Sequence, residues 1–210
     1  KLDKIFDSFA ASSLFKNNTV LQSNYSPESI LHRADQVESI ASILGPTLKG
    51  ERASNLFLYG KTGTGKTLSA RYVGEKLESK VKKAGEDNLK FLYVNCKSKK
   101  VSDTEYRIIA ELISMLGKKV PATGLPTDTV YSKFIEMIDS KKQIVVLVLD
   151  EIDQAVKKIS DNFIYTLTRI NSELKNAQIS LVGISNSLTF MDNLDPRVRS
   201  SLGEEEIVFP

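Results

Sequence analysis

The sequence predicts an α/β fold carrying a five-stranded parallel sheet, and three observations predict it. Short runs rich in β-branched residues alternate with helical patterns, the signature of βαβ units. One run, Ile144-Val145-Val146-Leu147-Val148-Leu149, is apolar without a break, as a strand covered on both faces requires. A glycine-rich turn at 60–67 joins a strand candidate to a helix candidate.

The strand candidates are Leu56–Tyr59, Phe91–Asn95, Ile144–Leu149, Ile179–Ile184 and Ile207–Phe209. Between them, Leu68, Val73, Leu77 and Val81 form one apolar helical stripe, and Phe163, Leu167, Ile170 and Leu174 form another at steps of four, three and four. Residues 1–24 read as an amphipathic leader helix and extended segment outside the sheet, with a polar stretch at Asn17-Asn18-Thr19; residues 25–210 read as the core. Residues 97–142 place two helices, instead of one, between the second and third strands. Ser102-Asp103-Thr104-Glu105 is a capping box, after which Ile108, Ile109, Leu112, Ile113 and Leu116 share a helical face that Gly117 could end. A loop with Pro121, Gly124 and Pro126 follows, then a helix with Val130, Phe134, Ile135 and Ile138 inward.

A chain of 210 residues, 41% apolar and 26% charged, is long enough to bury a core and too apolar to read as disordered. No apolar run approaches the length of a membrane span, and the start Lys1-Leu2-Asp3-Lys4 lacks the layout of a signal peptide, so a cytoplasmic protein without membrane partners is expected. The chain begins without Met and reads as a piece of something longer. Its single cysteine, Cys96, cannot form an internal disulfide and reads as a small buried side chain at a strand end. Net charge is only +3, and residues 97–142 carry that whole excess, with nine Lys or Arg against six Asp or Glu.

Gly60-Lys61-Thr62-Gly63-Thr64-Gly65-Lys66-Thr67 matches G-x-x-x-x-G-K-[ST] in full, with a strand before it and a helix after it. The glycines let the backbone turn tightly so that successive N–H groups face phosphates, and the helix adds the positive end of its dipole. On this reading the eight residues and Leu68 contact a nucleotide. Lys66 reaches the β- and γ-phosphates, and the Thr67 hydroxyl ligates Mg²⁺. Asp150-Glu151 ends the apolar run: Asp150 is expected to hold Mg²⁺ through water, and Glu151 to polarise the attacking water as general base. An acidic pair after a buried strand is costly unless it meets a cation or open water. A Ca²⁺ loop around Asp153 is disfavoured, because no glycine follows at the sixth position and the segment should be helical. Asn186, at the polar tip of Leu181-Val182-Gly183-Ile184-Ser185, is either a hydrogen-bonding partner of the attacking water or γ-phosphate, or an ordinary strand-end turn.

In combination these motifs resemble AAA+ ATPases, and within them the archaeal origin-recognition and replication-initiator proteins related to the eukaryotic origin recognition complex. The resemblance runs from Leu31-His32-Arg33-Ala34-Asp35-Gln36 through Gly60–Thr67, Leu147–Asp153 and Asn186 to Leu194-Asp195-Pro196-Arg197-Val198-Arg199-Ser200-Ser201-Leu202-Gly203. Its more specific parts are the insertion tipped by Val120-Pro121-Ala122-Thr123-Gly124-Leu125 and the Arg197–Ser201 segment.

The resemblance implies a P-loop NTPase (AAA+) three-layer sandwich with the helical insertion between strands 2 and 3. It implies ATP or ADP and Mg²⁺ as cofactors, with Lys66, Glu151 and Asn186 catalytic. The inserted helices would contact the DNA backbone and minor groove, giving Lys97, Lys99, Lys100, Lys118, Lys119, Thr123 and Gly124 as candidate DNA contacts. A solvated lysine-rich surface accounts equally for these charges. His32 and Arg33 would lie beside base and ribose, with Tyr25 to Ser29 passing the adenine. Arg197 or Arg199 would be the arginine finger for a neighbouring subunit, although Ser stands where some relatives carry that arginine. Relatives continue into a helical lid and a winged-helix domain, both absent from this chain, so the fragment is expected to bind nucleotide less tightly and turn over very slowly.

The expected function is therefore a cytoplasmic, nucleoid-associated replication initiator in which ATP acts as a switch. Its partners would be double-stranded origin DNA, other initiator subunits in a homo- or hetero-oligomer, and a replicative helicase. Alternatives are a clamp-loader-like or transposition-helper ATPase acting mainly on proteins, and a regulatory module that traps nucleotide.

Overall fold

In a computed structural model of the chain, residues 32–98, 104–121 and 124–210 are described. The expected leader, Tyr25 to Ser29, Lys99, Lys100, Ser102, Asp103 and Thr123 lie outside the described residues. Helix α1 (Ala34–Leu44) runs through a 3₁₀ turn, Gly45–Lys49, to strand β1 (Leu56–Gly60). Then follow α2 (Lys66–Lys83), β2 (Leu89–Asn95), α3 (Glu105–Met115), α4 (Thr127–Ile138) and β3 (Ile144–Asp150). Helices α5 (Ile152–Ile159) and α6 (Asn162–Arg169) lead to β4 (Gln178–Ser185), and α7 (Pro196–Leu202) leads to β5 (Glu205–Phe209).

The five strands are all parallel, in the order β2-β3-β4-β1-β5. Because side chains alternate along a strand, the sheet divides its apolar residues between two cores. Phe57, Val145, Leu147, Leu149 and Leu181 pack on one face with residues of α3, α4, α5, α6 and α7. Leu56, Leu58, Val146, Val148, Val182 and Ile184 pack on the other with α1, α2 and Phe209. Every residue of β3 is buried, as its unbroken apolar run requires. Each such aliphatic side chain contributes about 1.5–3 kcal/mol relative to exposure. The result is the three-layer sandwich, and the inserted hairpin is welded into it: Ile108, Ile109, Leu112 and Ile113 of α3 and Val130, Phe134 and Ile138 of α4 are all fully buried.

Local chemistry sets the helix ends. Asp195 caps α7 by accepting from the Arg197 N–H (2.8 Å), with Pro196 in the first turn, where its missing N–H costs nothing. Gly117, at φ 88°, follows the last turn of α3, and the Lys118 N–H reaches back to the Ile113 carbonyl. The start of α3 differs from the expected capping box. The helix begins at Glu105, and Thr104 is the cap, its hydroxyl accepting from the Arg107 N–H (3.3 Å).

The stripe expected to run to Leu174 also stops short, because α6 ends at Arg169 and yields to a 3₁₀ turn, Ile170–Ser172. Beyond that turn the Asp139 carboxylate captures the N–H groups of Lys175, Asn176 and Ala177. Those amides are thereby withdrawn from a helical ladder, and the chain swings into β4. Leu68 leaves its expected stripe as well, being only half-buried, while Ser69, Ala70 and Gly74 join Val73, Leu77 and Val81 against the sheet.

The last strand explains the first glycine of the turn at 60–67. Gly60 ends β1 opposite Phe209 of β5, and a Cβ placed on it would lie 2.1 Å from the Phe209 carbonyl oxygen. Its φ of 152° also falls where side chains are strained. Gly60→Ala is therefore expected to lose about 1–3 kcal/mol of stability, seen as a lower urea midpoint at unchanged slope.

Candidate functional site

The carboxyl ends of three adjacent strands bring the candidate residues together. In the register, Tyr59 of β1 lies opposite Ser185 of β4, and Ile184 of β4 opposite Asp150 of β3. Gly60, Asn186 and Asp150 therefore stand along one edge of the sheet, where open α/β folds gather their ligands. From that edge the loop 61–65 leads into α2, with Gly63 and Gly65 at φ 83° and 93°. The amides of Gly63, Thr64, Gly65 and Lys66 donate to no backbone carbonyl among the described residues. Such open donors at a helix start form a ready anion cradle.

Lys66 is buried, 4% exposed, and its ammonium donates to the carbonyls of Gly60 (2.9 Å) and Lys61 (2.7 Å) and to Thr64 Oγ1 (3.3 Å). Burial pulls its pKa below the ordinary lysine value, while the charges of Asp150 and Asp153 oppose that fall.

Asp150, also 4% exposed, is the junction of the site. Its Oδ2 accepts from the Thr67 hydroxyl (2.7 Å) and the Tyr93 hydroxyl (2.6 Å), and its Oδ1 accepts from the Glu151 N–H (2.8 Å). The Tyr93 pKa is pushed well above its ordinary value, first by burial and then by its bond to Asp150, so Tyr93 stays a donor at any ordinary pH.

Glu151 is held at φ 51°, a left-handed conformation that non-glycine residues rarely adopt, and it turns the chain from β3 into α5 within one residue. Its carboxylate accepts from Asn95 Nδ2 (3.3 Å) and lies 3.5 Å from the Lys97 ammonium. Asp153 is buried in α5 and accepts from Ser185 Oγ (2.9 Å), tying α5 to the tip of β4.

These residues fit a magnesium-bound nucleotide. A hydroxyl that donates its proton to a carboxylate, as Thr67 does, keeps its lone pairs for a cation. The ammonium and the open amides supply positive charge beside it.

The remaining candidates are placed as follows. Asn186 is exposed at the end of β4. Arg33 donates to the Pro210 carbonyl (3.0 Å), sits over the Phe209 ring, and has its Cγ 3.8 Å from where a Cβ on Gly65 would be, beside the glycine loop. His32 is exposed at φ 62°. Arg197 and Arg199 stand on α7. Arg197 is chelated by both Asp195 oxygens (3.0 and 3.1 Å) and stacked on Tyr165, and Arg199 lies 3.5 Å from Asp192. Lys118 and Lys119 are exposed after α3, and Gly124 sits at φ 104° with open space beside it. Lys97 is exposed after β2, its ammonium 3.5 Å from the Glu151 carboxylate.

Sequence reading missed Tyr93 and Asn95. Parallel pairing of β2 with β3 puts Asn95 directly opposite Asp150, a register that no single strand's sequence contains.

Comparison with known proteins places this geometry in a family context. Residues 49–191 match the family model described as AAA domain. The ORC1-type DNA replication protein 1 of Methanosarcina mazei is 48% identical over the whole chain, which covers 50% of that protein. The ORC1-type DNA replication protein of Pyrococcus abyssi is 49% identical, again over the whole chain and 50% of the relative. Among solved structures, the Aeropyrum pernix Orc1 protein in complex with DNA superposes at a TM-score of 0.85 with 42% identity, over 93% of this chain and 49% of that one. The chain thus spans about half the length of the relatives it matches. Among the described residues, no helix is long and apolar enough to cross a membrane.

The acidic edge also governs the one thiol. Cys96 is fully buried behind β2, and burial, followed by the charges of Asp150, Asp153 and Glu151, pushes its pKa up to about 12. Only on the order of one part in ten thousand would be thiolate at pH 8. A disulfide thiol reagent at pH 8 is expected to leave the folded protein unmodified and to react once urea unfolds it.

Proposed function

The chain belongs to the AAA domain family, in the branch of ORC1-type DNA replication proteins, and on that premise we propose that it is the ATP-switched core of a DNA replication initiator. The observation that carries the proposal is the 2.7 Å bond between Thr67 and Asp150, which sets the metal-binding hydroxyl of the glycine loop against the carboxylate of the neighbouring strand.

When bound, Mg²⁺ would supply positive charge that offsets the negative charge developing on the phosphates. The chain's own residues do the rest. The open amides of 63–66 and the Lys66 ammonium hold the phosphates. Asp150 orients Thr67, and together these two residues would hold the cation. Glu151 takes the proton of the attacking water. Asn95 and Lys97 hold its carboxylate at a fixed place beside the loop. Asn186, on the strand between β1 and β3, is suited to orient that water or the γ-phosphate. Arg33 lies beside the loop, and with His32 it would meet base and ribose on that side. Arg197 and Arg199 are exposed and could serve a neighbouring subunit; Arg197 would first have to leave Asp195 and Tyr165.

Hydrolysis is slow on this reading because the Asn95 amide and the Lys97 ammonium already engage the Glu151 carboxylate, which must leave them to meet water. Binding of double-stranded origin DNA is supported by the relative solved in complex with DNA and by the exposed Lys118 and Lys119 beside Gly124. Assembly with further initiator subunits and with a replicative helicase, and a place at the nucleoid, follow from the same role.

Two measurements on the full-length protein test the reading. Lys66→Ala should lower affinity for a fluorescent ATP analogue by about a hundredfold or more, while Glu151→Gln should keep that affinity and lose at least about a hundredfold in turnover. DNA affinity should fall steeply with salt, and Lys118→Ala with Lys119→Ala should reduce the slope of log K against log salt by about two. Intact ATP affinity in Lys66→Ala, or salt-independent DNA binding, would overturn it.

A further inference from the structure

The Tyr93 hydroxyl has no part in the roles assigned above, yet it makes one of the two hydroxyl contacts to the oxygen that orients Thr67. Tyr93 pairs with Val148 in the β2–β3 register. Asp150 follows Val148 by two residues, so both side chains stand on the sheet face that α2 covers. Arg71 of α2 lies over the Tyr93 ring, 5.1 Å from its centroid, and fixes the ring's tilt. The hydroxyl is thereby delivered to Asp150 Oδ2 at 2.6 Å.

This contact decides where a buried charge points. A carboxylate at 4% exposure needs donors for both oxygens, and here it has them in Thr67, Tyr93 and the Glu151 N–H. Without the Tyr93 hydroxyl, Oδ2 would keep Thr67 alone. A competing source of positive charge is Lys66, which already interacts electrostatically with Asp150. A carboxylate turned toward that ammonium would release the Thr67 hydroxyl and leave the metal position without its oriented oxygen. An aromatic residue at position 93 would satisfy packing without an oxygen; only a hydroxyl at the ring's tip satisfies the carboxylate.

We propose that Tyr93 is a positioning residue for the metal site: its hydroxyl pins Asp150 to Thr67 before the nucleotide arrives and so sets the affinity for Mg²⁺. The proposal rests on the reading of this edge as a site for ATP and Mg²⁺. Loss of a donor that orients a metal-site carboxylate costs roughly ten- to a hundredfold in metal affinity.

The test uses the full-length protein with Tyr93→Phe, which removes only the oxygen, and Tyr93→Leu, which removes the ring as well. Binding of a fluorescent ATP analogue is titrated against free Mg²⁺ and, separately, in EDTA, and melting temperature is recorded for each variant. For Tyr93→Phe, the Mg²⁺ concentration at half-effect should rise about tenfold or more, with EDTA affinity as in the wild type and a melting temperature lowered by no more than one lost hydrogen bond accounts for. Tyr93→Leu should show the same rise together with a lower melting temperature. Wild-type Mg²⁺ dependence in Tyr93→Phe would overturn the proposal, as would an equal loss in EDTA, which marks a merely structural role. If the wild type itself binds the analogue without any response to Mg²⁺, the reading of the whole site fails, and not Tyr93 alone.

Discussion

A single carboxylate holds this molecule's chemistry in place. Asp150 sits at the end of a strand with no exposed residue, and a charge there is tolerable only where donors meet it. The donors come from three different elements: Thr67 from α2, Tyr93 from β2 and the backbone of Glu151 from the turn into α5. Helix, edge strand and central strand are thus locked to one another at the point where phosphates would lie. The order β2-β3-β4-β1-β5 serves that junction, since it sets β3 and β1 either side of β4.

The insertion between β2 and β3 has two characters. Its helices belong to the core, with faces as dry as any strand, so the hairpin cannot shift without disturbing the sheet. Lys97 stands where it begins, and Lys118 and Lys119 stand exposed in the loop between its helices. The insertion begins at the edge that carries Asp150, because Lys97 stands two residues past Asn95 and both touch Glu151. The first lysine of the insertion and the Glu151 carboxylate are neighbours in space.

The sheet and the loop could be read from the sequence because both are local. An unbroken apolar run means a strand buried on two faces, and the spacing of glycines, lysine and threonine is a property of eight consecutive residues. What was hidden depends on pairing. Tyr93 and Asn95 look like ordinary strand residues until β2 is laid beside β3, and nothing in either strand announces that register. The helix ends went wrong for a related reason: a distant acid, Asp139, takes amides that periodicity alone would leave in a helix. Thr104 in place of Ser102 as the cap of α3 is a smaller error of the same kind, a choice among adjacent hydroxyls that neighbouring contacts decide.

Glu151 shows what this arrangement asks of the fold. Its left-handed backbone costs about 1–2 kcal/mol for any residue with a Cβ. Glycine would suit the bend better, so folding and chemistry select different residues at this position. A search for more stable versions of the protein would be drawn to replace this very side chain. The domain is therefore expected to sit below the stability its architecture permits, by about the strain held at this one turn.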